Sequence, residues 1–91
     1  GEHPARALLD ASAMEGIDPS LMSALRALRK QLADERQKPA FVIFNDLTLR
    51  ELARKRPRDE TELRQVTGIG EAKAREYGEA ILQVIARQRI P

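Results

Sequence analysis

Ninety-one residues make one domain at most, and 42% hydrophobic side chains with only 3% aromatics leave Leu, Ile, Val and Ala to fill a modest core. Sixteen basic against 14 acidic side chains give a net charge of +2, so any contact with nucleic acid needs a local patch and should be weak. The absence of cysteine excludes disulfides and thiolate metal sites and fits a reducing compartment, and no apolar run reaches membrane-spanning length.

No signal peptide is visible, and a chain beginning with Gly1 reads as a piece of a larger protein. Within residues 1–17, Pro4 suits a first helical turn, Leu8, Leu9 and Met14 form a short apolar stripe, and Gly16 would stop it. A short N-terminal helix and a linker both fit that segment. Asp18-Pro19 then has the pattern of an N-cap followed by proline at the first helical position. Leu21, Leu25, Leu28 and Leu32, at spacings of four, three and four, line one face of a helix expected over 19–37. Arg26, Arg29, Lys30 and Arg36 fall off that face, and Pro39 ends the helix.

Residues 38–45 break the helical period. Val42, Ile43 and Phe44 have the composition of a strand, but a lone strand cannot satisfy its hydrogen bonds. A buried irregular loop or a single helical turn is expected, plugging the core with both phenylalanines of the chain, Phe41 and Phe44. Asn45 or Asp46 caps the next helix, whose inward residues are Leu49, Leu52 and Ala53 and which must stop before Pro57. Asp59-Glu60-Thr61-Glu62 has capping-box spacing and opens a third helix carrying Leu63 and Val66.

That helix runs into Val66-Thr67-Gly68-Ile69-Gly70-Glu71-Ala72-Lys73-Ala74. Gly68 and Gly70 permit backbone angles closed to other residues, and Ile69 between them should point inward and pin the reversal. The outline is that of a helix-hairpin-helix, whose second helix start would attract phosphate. The alternative is a tight corner in a helical bundle, and Glu71 favours it by competing for the anion position. A fourth helix holds Ala72 and Tyr77 and is expected to bend or break at Gly78, after which Ile81, Leu82 and Ile85 form the buried stripe of the last. The sum is five helices on one core, an all-α fold.

Catalysis has no foothold in this pattern. The sole histidine, His3, lies in the loose end, no Gly-rich loop with Lys-Ser or Lys-Thr is present, and the acids fall in caps and on solvated faces. No metal or cofactor is expected.

Taken in order, Leu25 to Arg29, the run Pro39 to Asp46, Thr48-Leu49, Leu52-Ala53, Pro57, Val66 to Gly70 with Lys73, and Tyr77-Gly78 resemble the HRDC domain, the helicase-and-RNase-D C-terminal module. The likeness covers about residues 20–88 and is greatest to the module of bacterial RecQ-type DNA helicases. It implies a compact five-helix bundle over 18–91, a non-catalytic accessory of an ATP-dependent DNA helicase. Such a module would bind single-stranded or structured DNA weakly and tune substrate choice, as a monomer in the cytoplasm at the nucleoid, away from membranes.

Three surfaces could carry this. Arg54, Lys55, Arg56 and Arg58, with Arg50 a turn earlier, form the densest basic run, although cations at a helix C-terminus also favour the fold itself. Arg36 and Lys38 join Phe41, at the position where the resemblance implies an aromatic that stacks on a base. Phenylalanine stands there in place of the frequent tyrosine, and its apolar neighbours favour burial instead. Lys73 follows the glycine corner, where it could meet a phosphate or pair with Glu71 or Glu76. The acids Asp59, Glu60 and Glu62 beside the basic run suit a rival role, docking on the helicase core or another protein.

Overall fold

The computed structural model describes residues 17–89. Among them are five helices and no strand: α1 (Pro19–Arg36), α2 (Ala40–Ile43), α3 (Asp46–Lys55), α4 (Glu60–Arg64) and α5 (Glu71–Arg89). The expectations for residues 1–16 lie outside the described part. No described helix is long and apolar enough to cross a membrane.

Three of the five starts, those of α1, α3 and α4, are set by a short polar side chain that takes up an otherwise orphaned N–H. Asp18 accepts from the Ser20 N–H, Asn45 from Thr48 and Asp59 from Glu62, each at 2.9 Å. The Asp59 box is reciprocal only in part, because Glu62 Oε1 accepts from the Arg58 N–H at 2.9 Å rather than from Asp59. Helix α1 closes on Gln37 in the left-handed region (φ 55°), with the Gln37 and Lys38 N–H groups bonded back to the Asp34 and Ala33 carbonyls, a Schellman end.

Helix α1 is the hub. It packs against α2, α3 and α5, and α4 rests on α5. Asp18 and Leu21 share a small cavity with Ile85 and Gln88, while Arg36 meets Glu76 and Tyr77, so α1 and α5 run antiparallel. The leucine stripe is buried as its spacing requires: Leu21, Leu25, Leu28 and Leu32 all face inward, joined by Met22 and Ala33. Leu49, Leu52, Ala53, Leu63, Val66, Ile69, Ile81 and Ile85 complete an aliphatic core. Burying each large aliphatic side chain contributes about 1.5–3 kcal/mol, which is what holds helices this short in place.

Three expectations are corrected. The 40–43 segment is a helical turn, but it does not bury both phenylalanines: Ile43 and Phe44 are fully buried, whereas Phe41 is 68% and Val42 39% exposed. In a single turn the four side chains point to four sides, so an apolar run cannot all face one core. Helix α5 passes through Gly78 without a break. A β-carbon at Gly78 would stand 3.1 Å from Leu63 Cδ2, so glycine there lets α4 approach α5 closely. Leu82 is only half-buried, beside the fully buried Ile81 and Ile85.

Candidate nucleic-acid interface

The glycine corner is built around Gly68, not around both glycines. Gly68 has φ +89°, and a β-carbon there would collide with Thr48 Oγ1. Thr48 is buried, and its hydroxyl donates to the Thr67 carbonyl at 2.8 Å, tying the start of α3 to the corner. Among the described residues Gly68 is the one glycine at positive φ. Gly70 has open space around it, and its carbonyl accepts from the Ala74 N–H at 2.9 Å to begin α5. Ile69 is buried between them, as its position predicts.

The sequence-derived cations differ in what they meet. Arg54 and Lys55 reach the same carboxylate, Glu51, at 3.3 and 3.4 Å. Arg56 ends α3 in a left-handed conformation (φ 47°), its N–H donating to the Leu52 carbonyl at 3.0 Å. Arg58 follows the buried Pro57 with its side chain exposed. The neighbouring acids are committed to the fold: Asp59 caps α4, Glu62 holds the Arg58 N–H, and Glu60 pairs with Arg64 at 2.9 Å.

Arg36 is drawn onto α5. Its guanidinium lies 4.7 Å from the centroid of the Tyr77 ring and 3.5 Å from Glu76. Burial, reinforced by Glu76, pushes the Tyr77 hydroxyl above its ordinary pKa of 10.0. Arg36 thus closes α1 onto α5. Lys38 stays exposed just beyond the Schellman end, and Lys73 is half-buried; neither makes an ion pair among the described residues. Glu71 and Glu76, the acids expected to hold Lys73, pair with Arg75 and Arg36 instead.

What sequence reasoning missed is a contact 17 residues apart. Arg29 Nη1 donates to Asp46 Oδ1 at 2.9 Å and to the Phe44 carbonyl at 3.2 Å, clamping α2 and the head of α3 to α1. The Arg29 side chain is only 13% exposed. Its hydrogen bond and charge, with smaller contributions from Arg50 and Arg26, hold the Asp46 carboxyl below its ordinary 3.8. The signal in the sequence was Arg29 lying between the leucine stripe and the polar face, too weak to name a partner. Next to this clamp stand the exposed large apolar side chains of the described residues: Phe41, Val42 and Leu47.

Among the described residues no group of three or more His, Asp or Glu side chains could hold a metal ion. The described residues form a helical frame clamped by Arg29, with Phe41 exposed beside the clamp. Residues 18–85 match the family model of the HRDC domain, and the chain belongs to that family, a domain with no catalytic role of its own. It is 35% identical over 77 residues to the ATP-dependent DNA helicase RecQ of Pasteurella multocida, covering 85% of this chain and 12% of that protein. With the RecQ of Bacillus subtilis it shares 43% identity over 65 residues, 71% of this chain and 11% of that one. Among solved structures, the third HRDC domain of Deinococcus radiodurans RecQ superposes with a TM-score of 0.75 at 42% identity, covering 78% of this chain and 93% of that domain. The chain therefore spans about an eighth or less of the curated helicases it matches.

Proposed function

We propose that this HRDC domain is a DNA-engaging accessory of a RecQ-like, ATP-dependent DNA helicase. It holds single-stranded or structured DNA weakly and biases which substrates the motor engages, at the nucleoid in the cytoplasm. The observation that carries the reading is Phe41, 68% exposed in a chain with three aromatic residues. Exposing a phenylalanine ring forgoes burial that a small core could use, and an open ring face offers a base a stacking platform. The cations singled out by sequence, Arg36, Lys38, Arg54, Lys55, Arg56, Arg58 and Lys73, contribute unequally. Lys38 and Arg58 are the more available, while Arg36, Arg54 and Lys55 are drawn toward acids.

Fluorescence anisotropy with a labelled single strand at two salt concentrations tests this. Wild-type binding should weaken steeply as salt rises. Phe41→Ala should weaken it at low salt by about tenfold or more, since stacking on one base is worth roughly 1–3 kcal/mol, with the fold intact. Absence of wild-type binding at low salt would remove the DNA role from the isolated domain.

The exposed Phe41, Val42 and Leu47 also favour a second reading, docking on the helicase core of the same chain. In that case the domain alters helicase kinetics without binding DNA alone, and Phe41→Ala changes those kinetics.

A further inference from the structure

We propose that residues 4–15 dock as a further helix in the groove between α1 and α5, so that the folded unit begins well before Asp18. The docking needs no DNA.

The groove holds about 450 Å³ and follows the seam of the two long helices. Ala24 and Ala27 of α1 face Ala80 and Val84 of α5 across it, with the buried Leu28 between them and Arg87 at one end. Alanines on both walls keep the trough open, because larger side chains there would fill it. Ala80 and Val84 pack only partly against the core, so apolar surface is left over on this side of the bundle.

The chain enters α1 at the mouth of this groove. Gln88 lines both the groove and the small cavity it shares with Asp18, and the buried Ile17 fixes the entry point. At about 1.5 Å per residue, a helix over 4–15 would be about 18 Å long, and α1 from Asp18 to Gln31 at the far end of the groove measures about 20 Å. The link between them, Gly16-Ile17-Asp18, has the length that joins antiparallel helices. In such a helix Ala5, Leu8, Leu9 and Ser12 fall at i, i+3, i+4 and i+7, two leucines bracketed by small residues on one narrow face. Met14 falls off that face. Glu15, in the last turn, would arrive at the Arg87 end of the groove, and Arg87 makes no ion pair among the described residues. A tethered segment also meets the groove at an effective concentration on the order of millimolar, ahead of a free partner or a second copy. Tension from the N-terminal side would strip this segment first and only then reach α1.

The test uses the full 91-residue chain, whose lack of cysteine lets a single nitroxide be attached through Asp10→Cys, opposite the leucine face. Amides of residues 5–15 should exchange about tenfold or more slowly than in an unstructured peptide. The nitroxide should broaden the amide signals of Ala27, Ala80 and Val84. Leu8→Glu/Leu9→Glu, outside the described core, should abolish both effects. Ala27→Arg, at an exposed position on the groove wall, should abolish them too and leave the amide spectrum of α2, α3 and α4 unchanged. Free-peptide exchange of residues 5–15 in wild type would overturn the proposal. Protection that survives Ala27→Arg would overturn it as well, since the segment would then lie elsewhere. So would broadening in isotope-labelled chains that carry no nitroxide, mixed with chains that do, because a second copy would then occupy the groove.

Discussion

Gly68 has no substitute at its position. Its φ of +89° is open to glycine alone at low cost, and Thr48 Oγ1 occupies the space a β-carbon would take. Gly68→Ala should therefore destabilise the domain by about 3 kcal/mol, the sum of backbone strain and overpacking. In the Thr48→Ala background the clash disappears and the strain remains, so part of that loss should be recovered; denaturant midpoints of the four proteins measure the coupling. Asp46 makes a prediction of a different kind. Its pKa is lowered in the folded state by the Arg29 hydrogen bond and charge, so the contribution is present above its ordinary 3.8 and is lost as pH falls through and below that value. Wild type should exceed Asp46→Asn in stability at neutral pH, and their denaturation midpoints should converge in acid. At this scale the caps were legible, since Asp18, Asn45 and Asp59 all act where their types and spacing place them. Arg29 with Asp46 was not, because a pair 17 residues apart leaves no periodic trace.

The helices divide by how much period each carries. Over 18 residues α1 repeats its leucine stripe enough times to fix which face is buried, and the sequence reading of it is accurate to a residue at its C-terminal end. Helix α2 has four residues and no period, so the burial expected of both phenylalanines holds for Phe44 but not for Phe41, two positions an unbroken apolar run cannot tell apart. Helix α5 was expected to break at Gly78 because glycine weakens a helix by roughly 1 kcal/mol. Packing overrides that local preference: Gly78 is buried, and its bare α-carbon is what brings Leu63 of α4 against α5. Gly78→Val should push the two apart and cost about 2 kcal/mol, even though the intrinsic helix preference of valine over glycine acts in the opposite direction. Thermal or chemical denaturation measures it, and a neutral or stabilising result would mean α4 can retreat freely.

For the molecule as a whole, one core serves every element, and α1 is the piece each of three others needs. Leu25, fully buried on that hub, should cost about 3 kcal/mol when truncated to alanine. That is a large share of the roughly 5–15 kcal/mol a native protein holds. Leu25→Ala should lower the unfolding midpoint without weakening the proposed DNA binding in the fraction that stays folded. Phe41→Ala should do the reverse. The aliphatic core and the glycine corner were both visible before the fold was known. The distribution of charge was not, because whether an arginine is spent on an acid depends on neighbours from other helices: Arg36 is held by Glu76 and Tyr77 across the α1–α5 contact.

The antiparallel run of α1 and α5 puts Asp18 beside Gln88. In any longer polypeptide, the strand arriving at α1 and the strand leaving α5 are thus attached at the same end of the bundle. Tension drawn through both attachments would part the two long helices like a zipper, loading one helical turn after another, where attachments at opposite ends would load every contact in shear at once. Pulled that way, the bundle would yield gradually and reclose from the Arg36 end.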